Sequence, residues 1–270
     1  MDSTRFAELC QGLRRLKLRR IREVLEDYNR LAVTQQLSYL DFLAGLVQEE
    51  VAARDETQYT KRLKAARLPC HKTIEDFDFQ FQASVSRQTV LELARLRFVE
   101  DHENCVLVGP PGVGKTHLAI ALGLKAVEAG YRVYFTTVQD LVDDLYATLA
   151  DNSFRSRLRT LLANDVIICD ELGYLPMDAT ASNHLFQVVA QAYERRSLIV
   201  TSNRPFQEWG SVFASASIAT ATLDRLLHHV HILNLQGDSY RLKERMPTER
   251  VKFPERRSTS NQPLTQGSGG

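Results

Sequence analysis

Gly109-Pro110-Pro111-Gly112-Val113-Gly114-Lys115-Thr116 limits this chain to a narrow set of folds. It fills every fixed position of the Walker A pattern, and its flanks fit. Cys105–Val108 before it reads as a short buried strand, and His117 to Ala129 after it as a helix. Glycines let backbone N–H groups close around phosphates with no Cβ in the way, and the helix N-terminus adds its positive end. The expected nucleotide-binding set is Gly109, Pro110, Pro111, Gly112, Val113, Gly114, Lys115, Thr116 and His117. Lys115 reaches the β and γ phosphates of ATP, and the Thr116 hydroxyl ligates Mg²⁺. A chance glycine-rich turn does not bring all four fixed positions and the flanking pattern together.

The rest of the chain supports a nucleotide-binding core. Residues 70 to about 246 alternate strand and helix. Predicted strands are Tyr131–Phe135, Val166–Cys169 and Leu198–Thr201. Predicted helices include one capped by Thr137 with Asp140, a short one after a polar break, and Ser182–Arg196. Unbroken apolar strands separated by helices predict a parallel sheet covered on both faces. The fold class is therefore α/β, a P-loop NTPase preceded by a small N-terminal all-α domain. The predicted division is 1–67 for a helical interaction domain, 70–250 for the ATPase domain, and 251–270 for a disordered tail rich in Ser, Gln, Pro and Gly. In the helical part, Phe6, Leu9, Leu13, Leu16, Val24, Tyr28 and Leu31 recur at helical steps. A second helix begins at Ser38, with Asp41 as its capping acid and Leu40, Leu43, Val47 and Val51 as its apolar face.

A net charge of +1 is not that of a strongly basic nucleic-acid binder, but the charge is unevenly spread. Residues 1–30 hold eight Arg/Lys against five acids, and residues 61–67 hold four bases and no acid. Arg14, Arg15, Arg19, Lys61, Arg62, Lys64 and Arg67 are the candidate DNA contacts, with solvated helix faces as the plain alternative. The four cysteines, Cys10, Cys70, Cys105 and Cys169, show neither metal nor redox spacing. With no signal-peptide pattern and no membrane-length apolar run, the expected setting is cytoplasmic, reduced and free of membrane. His228, His229 and His231 cluster, but neither a carboxylate nor a cysteine stands at ligand spacing, which favours helix-end or interface histidines over a metal site. Phe77 and Phe79 either lie over the adenine or pack in the core.

Two further strand ends carry polar groups. Asp170-Glu171 closes the Val166–Cys169 strand. Asp170 fits the Walker B role of holding Mg²⁺, and Glu171 that of orienting and deprotonating the attacking water. Asn203 follows the Leu198–Thr201 strand, whose C-terminal end faces the ligand crevice of a parallel sheet. Among the arginines, residue type alone does not select those that stabilise transferred phosphoryl charge.

Several separated motifs, in order, carry a resemblance. They are Thr73-Ile-Glu-Asp-Phe-Asp-Phe, the Walker A run continued by His-Leu-Ala, Ile168-Cys-Asp-Glu-Leu-Gly-Tyr-Leu-Pro, Thr201-Ser-Asn-Arg, Phe206-Gln-Glu-Trp-Gly, Leu223-Asp-Arg-Leu-Leu-His-His and Gly237-Asp-Ser-Tyr-Arg-Leu-Lys. Over residues 35 to 245 the chain resembles the IstB-like ATP-binding family, AAA+ helper ATPases of insertion-sequence transposition related to DnaC-type helicase loaders. The resemblance implies Asn203 as sensor 1, Arg225 as an arginine finger serving a neighbouring subunit, and Arg241 as sensor 2. It also implies a homo-oligomer that assembles with ATP on duplex DNA and recruits or stimulates a partner transposase. A helicase loader and a DNA scaffold that senses ATP with little turnover are the rival readings.

Overall fold

The computed structural model describes residues 3–174 and 176–245; the expected disordered tail lies outside them. Three helices open the chain: α1 (Ser3–Arg15), α2 (Arg19–Gln35) and α3 (Tyr39–Ala65). The sequence periodicity runs on through residues 16–18, yet the chain turns there, with Lys17 in the left-handed region and Leu18 N–H returning to Leu13 O at 2.9 Å. The Ser38 cap forms as expected, its hydroxyl accepting from Asp41 N–H at 3.2 Å, a contact of about 1 kcal/mol.

The expected apolar face of α3 is not the buried one. Leu40, Leu43, Val47 and Val51 are 78%, 56%, 46% and 51% exposed. Leu46 instead packs with Ile21 and Leu25, and Phe42 joins them. On the same side, buried Glu50 receives the N–H groups of Arg20 and Ile21 at 2.8 and 3.2 Å, so its carboxylate caps the start of α2. A charged residue at an inner position shifts the apparent stripe by one position, and periodicity alone read the outer one. The far half of α3 meets the second unit: Tyr59 and Leu63 pack on its core, and Ala66 O accepts from Phe135 N–H at 2.8 Å.

The elements that follow are α4 (Arg87–Leu93), α5 (Arg97–Glu100), β1 (Asn104–Val108), α6 (Lys115–Glu128), β2 (Val133–Thr137), α7 (Val138–Ala147), α8 (Phe154–Leu161), β3 (Val166–Leu172), α9 (Ala179–Ala192), β4 (Ser197–Ser202), α10 (Ala216–His228), β5 (Val230–Asn234) and α11 (Tyr240–Arg245). The strands form one parallel sheet in the order β2-β3-β4-β1-β5. Two apolar layers cover its faces. One holds α6 with Phe98, Val99 and Ile168; the other holds α7, α9 and α10 with Ile167 and the fully buried Trp209. The expected α/β class is borne out.

Boundaries differ from expectation by a few residues. The strand predicted from Tyr131 starts at Val133, and the helix predicted from Ser182 starts at Ala179, because Asp178 caps it by accepting from Ala181 N–H at 2.8 Å. Cys105 and Cys169 are buried strand residues whose thiols burial pushes up to about 12. Among the described residues, no helix is long and apolar enough to cross a membrane.

Candidate nucleotide site

In a parallel sheet the strand C-terminal ends share one edge, and the order places the ends of β3, β4 and β1 side by side. Walker A follows β1, Asp170 and Glu171 lie in β3, and Asn203 follows β4 between them. Gly109 N–H donates to Ser202 O at 3.1 Å, which ties the start of the loop to the residue before Asn203.

Gly112 and Gly114 have φ of 84° and 98°, conformations that favour glycine. Their missing Cβ atoms also leave room for what packs on the loop: Ser239 at Gly112 and the Phe77 ring at Gly114. Lys115 is buried, its Nζ donating to Gly109 O at 2.7 Å and Pro110 O at 2.8 Å. Burial lowers its pKa; Asp170 and Glu171 oppose this, while the charge of Arg241 adds to it. Arg241 is thus an electrostatic neighbour of Lys115 within one chain.

Thr116 Oγ1 lies 3.0 and 3.1 Å from the two Asp170 carboxylate oxygens. A hydroxyl and a carboxylate converging on one point form an all-oxygen donor set, which suits Mg²⁺ with water and phosphate oxygens completing its shell. These residues fit the ion that the sequence implies.

Glu171 departs from the sequence picture. The predicted strand stops at Cys169, but β3 continues to Leu172 with a register shift against β4 between Cys169 and Leu172. Glu171 has φ of 64°, unusual for a residue with a side chain. Asp170 and Leu172 are buried while Glu171 is exposed. The irregularity therefore turns one carboxylate inward to Thr116 and the next outward into a cleft of about 370 Å³ that it lines with Thr137, Tyr146 and Tyr174.

A second cleft, of about 500 Å³, lies on the P-loop itself. Phe77, Phe81, Gln82, Lys115, Tyr240 and Arg241 border it. Phe77 belongs to the core cluster, as one of its two expected roles requires, and it also lines this cleft, with Phe79 and His117 edge-on to its ring. His117 Nε2 is 2.8 Å from Thr73 O, so it clips the segment before α4 onto α6, and burial depresses its pKa.

Arg225 is elsewhere. It lies in the last turn of α10, its guanidinium over the Phe186 ring at 5.4 Å and donating to Ala221 O at 2.8 Å. Asn104, the first residue of β1, donates through Nδ2 to Leu226 O at 2.9 Å. The turn that holds Arg225 therefore sits at the start of β1, about 16 Å of extended strand from the P-loop at its other end.

The candidate DNA contacts come together only in part. Arg14, Arg15, Lys61, Lys64 and Arg67 are exposed. Arg19 is paired with Glu23 at 2.8 Å, Arg62 reaches Gln58, and Arg67 lies over the Tyr134 ring. Because α2 and α3 run antiparallel, Lys61 borders the same groove as Lys17 and Arg19, but Glu23, Glu49 and Glu50 line it too. The groove is ion-paired rather than uniformly basic.

A family model described as IstB-like ATP binding protein matches residues 11–248. The chain belongs to the IstB-like ATP-binding protein family. It is 46% identical to the ATP-binding protein of insertion sequence IS21 from Pseudomonas aeruginosa, over 88% of this chain and 90% of that one. It is 43% identical to that of IS5376 from Geobacillus stearothermophilus, over 82% and 88%. Among solved structures, AMPPCP-bound DnaA from Aquifex aeolicus matches with a TM-score of 0.54 at 21% identity, covering 66% of this chain and 55% of that one. DnaI matches at 0.52 and 19%, covering 61% and 91%. The likeness to these structures is one of fold, the P-loop on a parallel sheet between helices, and the three helices α1 to α3 precede it.

Two contributors to the site escape sequence reading. Gln82 is buried and donates to Val113 O at 3.1 Å, bracing the P-loop. Thr201, also buried, donates to Asp170 Oδ1 at 2.5 Å and accepts from Glu171 N–H at 3.0 Å. Thr201 is a positioning residue that orients both acids. Its place in the Thr-Ser-Asn run beside Asn203 was the available signal. We predict that Thr201→Val, of similar volume, raises the Mg²⁺ needed for half-maximal turnover and lowers kcat by about ten- to a hundredfold, because a buried carboxylate loses its donor. Thr201→Ser should restore most of both. A Val variant with an unchanged Mg²⁺ requirement would show that the contact is only structural.

Proposed function

We propose that the chain is the ATP-hydrolysing subunit of an insertion-sequence transposition system. In this reading it acts in the cytoplasm, assembles as a homo-oligomer on duplex DNA, and recruits or stimulates a partner transposase. The observation that carries the ATPase reading is that Lys115, the Thr116–Asp170 pair and the outward-turned Glu171 lie at the same end of the sheet, close enough for the charge of Glu171 to be felt at Lys115.

Each residue then has a task. The P-loop N–H groups and Lys115 hold the phosphates of ATP. Thr116 and Asp170 would hold Mg²⁺, which when bound would neutralise phosphate charge. Glu171 accepts the proton of the attacking water, and Asn203, on the strand end between, orients that water or the γ phosphate. Arg241 serves the nucleotide of its own chain, consistent with its charge being felt at Lys115. Arg225, at the far edge of the sheet, supports a role at a neighbour's nucleotide, and with it an oligomer.

The DNA and transposase parts draw support from the insertion-sequence ATP-binding proteins that are its relatives and from the exposed Arg14, Arg15, Lys61, Lys64 and Arg67. A titration of duplex and single-stranded oligonucleotides in the presence of ATP tests them. Duplex should bind more tightly, with weak sequence preference. Affinity should fall by about 10³ or more between about 50 and 200 mM salt if six or more phosphates are contacted. A preference for single strands would favour a helicase-loader role instead. Binding to neither would remove DNA from the reading.

A further inference from the structure

The fold separates three histidines that the sequence groups together. His231, in β5, turns to Glu103, with Nε2 2.7 Å from Oε2. His228 ends α10 and His229 follows it, their ring centres 4.0 Å apart. Glu194, in the turn between α9 and β4, meets this pair, its Oε1 3.7 Å from His229 Nε2. One ligand atom from each of Glu194, His228 and His229 lies within 4.8 Å of the other two. The carboxylate of the cluster is therefore supplied by a segment distant in sequence.

The surroundings resemble a supported ligand set. The Tyr193 hydroxyl is 2.8 Å from His228 Nδ1, which orients the ring and leaves its other nitrogen for an ion. The backbones that carry the ligands are pinned. Asn104 N–H donates to His229 O at 2.8 Å, and the N–H groups of Arg195 and Arg196 return to Ala192 O at 2.9 and 2.8 Å. Around a bound ion with bonds of about 2.0–2.2 Å, ligand atoms sit about 3.3 Å apart, so closing the set needs only rotation of three exposed side chains.

We propose that Glu194, His228 and His229 form a site for a late first-row divalent cation of the Zn²⁺ class. Two imidazoles and one carboxylate suit such an ion, whereas Mg²⁺ and Ca²⁺ prefer all-oxygen shells. The site lies at the sheet edge opposite the P-loop, within a turn of Arg225. An ion there ties the end of α10 to the α9–β4 turn and stiffens the segment that carries Arg225.

The test uses the full chain without a polyhistidine tag, titrated with Co²⁺ and followed by its visible d–d absorption and by calorimetry. We expect one equivalent bound with imidazole-type bands, displaced by Zn²⁺. His228→Ala/His229→Ala should weaken that binding at least about tenfold, and Glu194→Gln by about tenfold. His231→Ala and Asp170→Asn should bind as the wild type does, separating this site from the Mg²⁺ position. All three ligands are exposed, so an unchanged circular dichroism spectrum certifies the variants, with Glu194→Gln the mildest of them. The proposal fails if the wild type binds no equivalent, if the double-histidine variant or Glu194→Gln keeps full affinity, or if Asp170→Asn abolishes binding.

Discussion

A Glu171→Gln chain should hold ATP about as tightly as the wild type and turn it over about 10²- to 10⁴-fold more slowly. The amide keeps the shape of the side chain and its backbone at φ 64°, so Asp170 and Thr201 keep their contact. Only the ability to take a proton is lost. ATP-bound assemblies should accumulate as a result. Lys115→Ala should act one step earlier. In the proposed site the buried ammonium is the cation of the phosphate cradle, so removing it should abolish binding and every ATP-dependent assembly. Equilibrium binding of a fluorescent ATP analogue, beside phosphate release, separates the two variants. A Gln variant that hydrolyses ATP at the wild-type rate would remove Glu171 from the mechanism, and an Ala variant that still binds ATP would remove Lys115.

Arg225→Ala should leave ATP binding by the isolated subunit nearly intact and reduce hydrolysis in the assembly by about 10³-fold. The geometry gives the reason. The turn that holds Arg225 is tied to the first residue of β1, and the P-loop follows the last. The sheet lies between, so in the proposed oligomer the guanidinium would serve a neighbour's nucleotide rather than its own. Mixing Arg225→Ala with Lys115→Ala subunits should restore part of the activity, since one brings an intact pocket and the other an intact arginine. Only boundaries of the right polarity are repaired. Arg241→Ala should show no such rescue if, as proposed, it serves the pocket of its own chain, where its charge is felt at Lys115. Normal hydrolysis by assembled Arg225→Ala would make the Phe186 contact its whole role.

What the sequence made legible, and what it hid, divides along physical lines. The P-loop, the Ser38 and Thr137 caps and the apolar strands were readable because each rests on a few adjacent residues. The irregularity at Glu171 was not, since a register shift depends on what the neighbouring strand does. The contacts of Thr201 and Gln82 join segments far apart in the chain, and residue type gives no sign of which buried hydroxyl or amide is so used. Glu194 beside His228 and His229 is the same case: ligand spacing in sequence detects only local chelates. The inner face of α3 was misread for another reason. Helical periodicity ranks faces by apolarity, and there a buried glutamate occupies the face that packs.

Helix α3 is 27 residues long, about 40 Å of unbroken rod. Its first half is gripped by α2 and its last turns by the layer that contains α6, the helix whose first residue is Lys115. With no hinge between these grips, the rod works as a lever. A tilt of the N-terminal helices is therefore passed to the far half of α6, where Leu68 lies beside Gly123, and to Phe135 of β2, which donates to Ala66 O, rather than absorbed within α3.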